Sequence, residues 1–390
     1  MKVLSITTNY PKNSLDRIGS FIHELNKKII EQGFDVIVLS PDCPPQKNEP
    51  FIEGAHIKRF QYFFPRHSQA LAGKYGIIQN IKLNPLILLQ IPFFFYFGIL
   101  AGISIIQHCK PDIIHAHWLI PSGLFGILFK KIFCIPLIIT VHGTDVRNLP
   151  TIFKKMFLKQ ADAIISPHPE ITQKICECNL FAHHIPNLIE EKPQPLSDLE
   201  ELLPEIKEKK VISFIGRLDV FKDPITLVQS VPIILKKRND ILIIIAGDGN
   251  LKKDILQLIK KFGIQRSVKI LGWFDETPLI LQKTNIFVSL SPIENIWSLS
   301  LVEAMKASIP CIVTNCGTTL SVLRDKKDAI LIHSHNPSEL AEKILFLLEN
   351  EEIGKKIGSS GKKIVDDLFN NEKNTQQIMK IYSQISRKKC

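Results

Sequence analysis

The side chains able to do chemistry in this sequence gather at the ends of apolar runs. Residues 289–305 read SLSPIENIWSLSLVEAM and follow Ile286, Phe287 and Val288, a run that predicts a buried strand. Leu299, Leu301, Val302, Ala304 and Met305 predict a helix after it. One carboxylate, Glu294, falls in the strand-to-helix turn, and a second, Glu303, just inside the helix. In a parallel α/β sheet, ligands sit at the carboxyl ends of strands, and helix N-termini there attract phosphate. The expectation is a sugar nucleotide, with Glu294 near the sugar and Glu303 near the ribose. Nine positions at 3.6 residues per turn leave the two about half a turn apart, so Glu294 must project from the loop and Glu303 from the helix. Plainer readings stand beside these: Ser300 and Glu303 have capping-box spacing, and Glu294 could be a loop carboxylate.

A second constellation follows the run 211–215. Gly216 lets the backbone turn tightly off the strand, Arg217 offers a planar fork for phosphate oxygens, and Lys222 adds a point charge. Two cations at one strand end repel unless an anion sits between them; otherwise they are surface charges. A third constellation comprises His115, His117, His142 and Asp145, at the ends of the runs 113–116 and 137–141. The spacing of His115 and His117 would permit zinc. The reading preferred over metal has one of the two facing the core and the polar groups lining a cleft. His142, beside Gly143, suits acid–base work or a sugar-hydroxyl contact, because glycine lets a ligand approach closely.

The elements that must hold these groups repeat a rhythm of strand, loop and helix, which predicts two doubly wound α/β domains facing one another across a cleft. Strands are expected at 2–8, 36–39, 113–116, 137–141 and 163–166, then at 211–215, 241–246, 268–271, 286–288 and 311–314, with helices at 20–32, 122–132 and 251–262. The Pro- and Glu-rich stretch 190–209 reads as a linker. The expected domains are 1–189 and 210–365, with 366–390 a helical tail packing back on the first domain. Only Gly19 marks the first loop, so a dinucleotide fingerprint is absent there.

With 390 residues, 45% hydrophobic and 22% charged, the chain reads as a folded globular protein of more than one domain. The net charge of +11, spread along the chain in lysine pairs, suits phosphorylated substrates, polyanions or anionic lipid surfaces. Eight cysteines without a C-x-x-C pair suggest buried free thiols in a reducing cytoplasm, with Cys43, Cys109, Cys134, Cys311 and Cys316 in apolar contexts. Residues 2–6 read as a strand and not as a signal peptide. The stretch 84–107 carries no charge and is long enough to span a membrane, lie in its interface or form a buried helix.

Taken in order, MKVLSITTNYP with Gly19, PDIIHAHWLIPSG, ITVHGTD, ADAIIS, IPN, FIGRLDVFKD, IAGDG, LGW and SPIENIWSLSLVEAM resemble the family 4 glycosyltransferases, retaining enzymes of GT-B fold. The resemblance covers nearly the whole chain. It implies that Gly216, Arg217 and Lys222 bind the donor diphosphate and assist its departure. It further implies that Glu303 binds the ribose, Glu294 the transferred sugar, and the amides of Leu299 and Ser300 a phosphate. His142 would contact the donor sugar, His117 and Asp145 would lie on the acceptor side, and Gly19 would let the first loop approach the phosphates or acceptor. No metal or other cofactor is implied, since the cations and the helix start supply the positive charge. The partners implied are a UDP- or GDP-sugar and a glycan or lipid-linked acceptor of polysaccharide or glycolipid assembly, with no nucleic acid. The setting implied is cytoplasmic, peripheral at the inner leaflet of the membrane.

The chain departs from the family pattern in places. Glu294 and Glu303 are separated by eight residues where the family usually has seven, and the extra residue falls between Glu294 and Trp297. Thr318, Ser321 and Leu188 replace the usual Gly, Glu and Gly. Two other function classes stay open: a GT-B nucleotide-sugar epimerase, which would convert donor without acceptor, and a non-catalytic sugar-nucleotide-binding protein. Nothing reads as a pyridoxal-phosphate lysine site, which argues against a phosphorylase.

Overall fold

The computed structural model describes residues 1–13, 16, 18–44, 49–72, 76–143, 149–190, 198–274, 276–292, 297–317 and 322–386. The chain divides into two compact units, the first formed by Met1–Glu190 with Phe369–Cys390 and the second by Glu191–Leu368.

Unit 1 is built on β1 (Lys2–Ile6), α1 (Ser20–Glu31), β2 (Asp35–Pro41), β3 (Phe51–Ile52), β4 (Ala55–Phe60), α2 (Ile77–Leu83), α3 (Ile91–Cys109), β5 (Ile113–His117), α4 (Leu124–Phe133), β6 (Leu137–Thr140), α5 (Thr151–Leu158), β7 (Ala163–Ser166), α6 (Pro169–Cys176) and β8 (His183–His184). The strands run in the order β3-β4-β2-β1-β5-β6-β7-β8, parallel except for the β3–β4 hairpin. Buried on both faces, the inner strands read as continuous apolar runs, which is why they were legible. The β3–β4 hairpin was not anticipated: AHIKRF alternates as a half-covered strand does.

One face of this sheet packs on α3, α4 and α6, with Phe94, Phe125, Phe129 and Ile171 in its core. The other packs on α1 and on the last described helix of the chain, which brings Ile378, Ile381, Tyr382 and Ile385 against Ile22, Leu25 and Ile29. That helix is anchored where the chain re-enters unit 1. Asn371 Nδ2 donates to Ile189 O at 2.7 Å, and Ile189 N donates to Asn371 Oδ1 at 3.0 Å.

The uncharged stretch forms a 3-10 segment, Pro85–Gln90, running into α3. Phe94, Gly98, Gly102, Ile105 and Ile106 make one buried stripe of α3. A Cβ at Gly98 or Gly102 would collide with the rings of Phe125 or Phe129. One stripe of the helix thus belongs to the core of unit 1.

Unit 2 comprises α7 (Leu199–Leu202), β9 (Lys210–Ile215), α8 (Pro224–Leu235), β10 (Ile241–Ala246), α9 (Lys252–Phe262), β11 (Val268–Gly272), α10 (Thr277–Lys283), β12 (Ile286–Ser289), α11 (Leu299–Lys306), β13 (Cys311–Thr314), β14 (Ile330–Ile332), α12 (Pro337–Glu349) and α13 (Glu351–Leu368). The sheet is parallel, in the order β11-β10-β9-β12-β13-β14. The helix that returns to unit 1 is α14 (Asn371–Ser386). Part of the expected linker belongs to the core of unit 2, where Leu199 and Ile206 bury against Leu242, Ile244 and Ile280.

Two readings are corrected. Cys134 is exposed, because it ends α4 in a left-handed conformation. The positive charge is not evenly spread: unit 1 carries 24 Lys and Arg against 14 Asp and Glu, whereas unit 2 carries 25 against 24.

Candidate active site

In each sheet the strand order reverses at one point, between β1 and β5 in unit 1 and between β9 and β12 in unit 2. Such switch points open a crevice at the carboxyl ends of the two strands, where ligands of open α/β sheets bind. The described candidate residues collect at or beside these two points.

In unit 2, β9 ends in Gly216 and Arg217. Asp219 shapes the turn that follows: its Oδ1 accepts from the amides of Phe221 at 3.0 Å and Lys222 at 3.1 Å, and its Oδ2 lies 3.2 Å from Arg217 Nη2. Asp223 then starts α8, accepting from Thr226 Oγ1 at 2.7 Å. The neighbouring turn, Gly247-Asp248-Gly249, presses against this one. Gly216 N donates to Ala246 O at 2.9 Å and Leu218 N to Asp248 O at 3.0 Å. A Cβ at Gly247 would overlap Gly216 O, and one at Gly249 would overlap Leu218 O, so both glycines are required by close approach.

The segment after β12 is tied to the same turn. Ser291 Oγ donates to Phe221 O and Ser300 Oγ to Ile215 O, both at 2.7 Å. The first turn of α11, with Leu299 and Ser300, therefore starts beside the end of β9, and its unpaired amides carry a partial positive charge there. The capping-box reading is overturned. The helix begins at Leu299 with Ser298 as N-cap, so Ser300 lies inside it, with its hydroxyl on β9. The Glu303 carboxylate accepts from Thr277 Oγ1 at 2.9 Å. The structure thus brings Gly216, Arg217, Lys222, Leu299, Ser300 and Glu303 to one edge of the unit 2 sheet, with the Arg217 side chain 58% exposed. Glu294 lies outside the described residues.

In unit 1, Gly19 takes a φ of 76°, and a Cβ there would collide with Asn9 O, so the loop after β1 folds tightly onto the start of α1. Two residues on, the Phe21 ring lies 5.0 Å from the His142 ring. Trp118 leaves β5 at a φ of 67°, a strained backbone for a bulky residue, and sets its indole 4.6 Å from His142. His117 Nδ1 meets His142 Nε2 at 3.3 Å. Among the described residues, His117 and His142 therefore meet, and the helix that starts after Gly19 reaches them through Phe21; Asp145 lies outside the described residues.

The expectation that one of His115 and His117 faces the core is corrected. Residues two apart on a strand share a face, and both are buried, with rings stacked at 4.4 Å. His115 is bracketed by Tyr382 Oη and Thr140 Oγ1, each at 2.7 Å. Burial lowers the pKa of His115 to about 3. Burial, reinforced by neighbouring imidazoles, holds His117 and His142 well below the ordinary value. Neutral imidazoles suit hydrogen bonding to hydroxyls. Among the described residues, Nε2 of His117 and Nδ1 of His142 are buried without a hydrogen-bond partner, so each has capacity for one polar contact. The sequence assigned no part to Asp219, Thr277 or Tyr382: Thr277 and Tyr382 act on residues 26 and 267 positions away, whereas Asp219 acts on its near neighbours as a turn-forming aspartate, a local signal that was there to read.

Two family models match the chain in succession: Glycosyltransferase Family 4 over residues 18–192 and Glycosyl transferases group 1 over residues 199–364. N-acetyl-alpha-D-glucosaminyl L-malate synthase of Bacillus anthracis is 24% identical, over 99% of this chain and 98% of its own length. UDP-Gal:alpha-D-GlcNAc-diphosphoundecaprenol alpha-1,3-galactosyltransferase of Escherichia coli is 24% identical, over 70% of this chain and 75% of its own. Among solved structures, HepE of Anabaena in complex with UDP and glucose superposes with a TM-score of 0.73 at 16% identity, over 98% of this chain and 99% of its own. Sucrose-phosphate synthase of Thermosynechococcus elongatus superposes with a TM-score of 0.76 at 16% identity, over 99% of each chain. The fold is GT-B, and the chain belongs to the family 4 glycosyltransferases.

Proposed function

We propose that this glycosyltransferase moves a sugar from a nucleotide-sugar donor to a glycan or lipid-linked acceptor in cell-surface polysaccharide or glycolipid assembly, in the cytoplasm, with retention and without metal. The observation that carries the reading is the tie of Ser300 Oγ to Ile215 O, which sets the start of α11 beside Arg217 and Lys222. Two cations and a helix N-terminus at one strand end make a site for a diphosphate. A UDP-sugar is favoured over a GDP-sugar, because HepE was solved with UDP and glucose and the Escherichia coli relative is named for UDP-Gal.

In this reading unit 2 holds the donor and unit 1 the acceptor. The bond from the anomeric carbon to the diphosphate breaks, its electron pair leaving on the phosphate oxygen, where Arg217, Lys222 and the α11 amides stabilise the charge. The acceptor oxygen attacks the same face of the anomeric carbon and yields its proton to that departing oxygen. Glu303 takes the ribose hydroxyls, Glu294 the transferred sugar, and His142, held neutral, a sugar hydroxyl. His117 and Asp145 are assigned to the acceptor side, and Gly19 to the approach of the first loop.

Thermal-shift screening against UDP-, GDP- and ADP-sugars tests the donor, since a ligand that binds only the folded state raises Tm. Stabilisation by a UDP-sugar, lost in Arg217→Ala and Glu303→Ala, supports the reading. Conversion of the donor sugar without acceptor would make the protein an epimerase. Unchanged transfer by Arg217→Ala, Lys222→Ala and Glu303→Ala would overturn the catalytic assignment.

A further inference from the structure

We infer that the outer face of the Pro85–Gln90 segment and of the first half of α3, together with the exposed face of α5, docks unit 1 onto an anionic lipid surface. A helix on the outside of a soluble unit normally turns polar residues to water, and one that is apolar all round is covered by something. Opposite its buried stripe, α3 exposes Phe93, Tyr96 and Leu100, spaced as one face of a helix. In the 3-10 segment before it, Leu86 and Leu89 eclipse one another and are 75% and 69% exposed. The rings of Phe63 and Phe64 lie 5.6 Å from Phe93 and 6.0 Å from Phe97, extending the face sideways.

A second patch adjoins the same sheet edge. α5 exposes Ile152, Phe153 and Met156 while burying Leu158 in the core shared with α3. Both helices lead into parallel strands, α3 into β5 and α5 into β7, so both start toward the carboxyl edge of the sheet, the edge that carries His142.

Charge selects the occupant. Unit 1 holds 24 cationic side chains against 14 anionic ones, including exposed Lys82 just before the segment and exposed Lys159 just after α5. A second copy of this unit would be repelled by that surplus, whereas an anionic bilayer gains from it and accepts aromatic and leucine side chains at its interface. This deepens the reading above, on which it rests only for the lipid-linked acceptor, since such an acceptor would be met at the same edge.

The experiment is flotation of the full-length protein with phosphatidylcholine vesicles, with and without phosphatidylglycerol. Wild type should float with the anionic vesicles and much less with neutral ones, and added salt should reduce the difference. Leu86→Gln/Leu89→Gln/Tyr96→Gln should weaken partition by at least about tenfold with Tm and elution volume unchanged. Lys82→Glu/Lys159→Glu should lose only the increment due to phosphatidylglycerol. Failure of wild type to float, equal flotation of the triple-glutamine variant, or a concentration-dependent dimer that this variant abolishes would each overturn the inference. Donor-induced thermal shifts are read without vesicles, so failure here and failure of the transferase reading are separable.

Discussion

Tyr382 Oη lies 2.7 Å from Nδ1 of His115, although 267 positions separate them in sequence. The contact ties α14, the helix that re-enters unit 1, to the floor of the histidine cluster. His115 stacks on His117, and His117 meets His142. A residue near the end of the chain therefore helps orient the imidazole proposed to touch sugar.

Tyr382→Phe should expose this coupling. Loss of one buried hydrogen bond costs about 1–3 kcal/mol of stability, read as a lower denaturation midpoint at unchanged slope. Because His142 is held through His117, kcat should fall more than the donor KM rises. An unchanged kcat at full occupancy would limit Tyr382 to a structural part.

The buried histidines make stability depend on pH. His115 titrates at about 3 in the folded protein, and His117 and His142 lie well below 6.5, the value expected of all three once unfolded. Below pH 6.5 the unfolded chain takes up protons that the folded chain refuses, so stability falls as pH drops toward 3 and is level above 6.5. Each imidazole contributes about 1.4 kcal/mol per pH unit well below 6.5. Denaturant titrations at pH 7.5, 6.5 and 5.5 should show the loss, and His115→Gln should flatten the slope.

Thr277→Val leaves the Glu303 carboxylate without the hydroxyl that holds it at 2.9 Å. Glu303→Gln should weaken donor binding by about tenfold, as expected for one charge-assisted hydrogen bond of roughly 1.4 kcal/mol. Thr277→Val should weaken it less. Titration with nucleotide sugar and with the sugar-free nucleotide should give similar ratios if Glu303 acts on the ribose.

Gly247→Ala places a Cβ against Gly216 O, in a backbone conformation that disfavours side chains. The turn bearing Arg217 must shift or the unit must strain, at about 1–3 kcal/mol. Donor affinity should drop in step with Tm. Gly263→Ala, with a positive φ but nothing near its Cβ, should lower Tm alone.

Glu294 and Asp145, two of the residues that the family pattern singles out, lie outside the described residues. The turn at Gly216 was readable because a glycine and an arginine follow directly on the mostly apolar run 211–215, with Lys222 five positions beyond the arginine. Ser300 misled, because its spacing to Glu303 imitates a cap while its hydroxyl serves a strand 85 positions earlier. Such a preference cannot be seen in a window of a few residues.

The sequence by itself determined the succession of buried strands, the glycine turns at their carboxyl ends, and the family, because parallel strands covered on both faces are predominantly apolar. Tertiary structure alone decided which distant side chains meet, as in Tyr382 with His115, Thr277 with Glu303 and Ser300 with β9. It also decided which side of α3 is covered. Periodicity reports a buried face only where polar and apolar residues alternate, and residues 84–107, apolar on every side, carry no such signal.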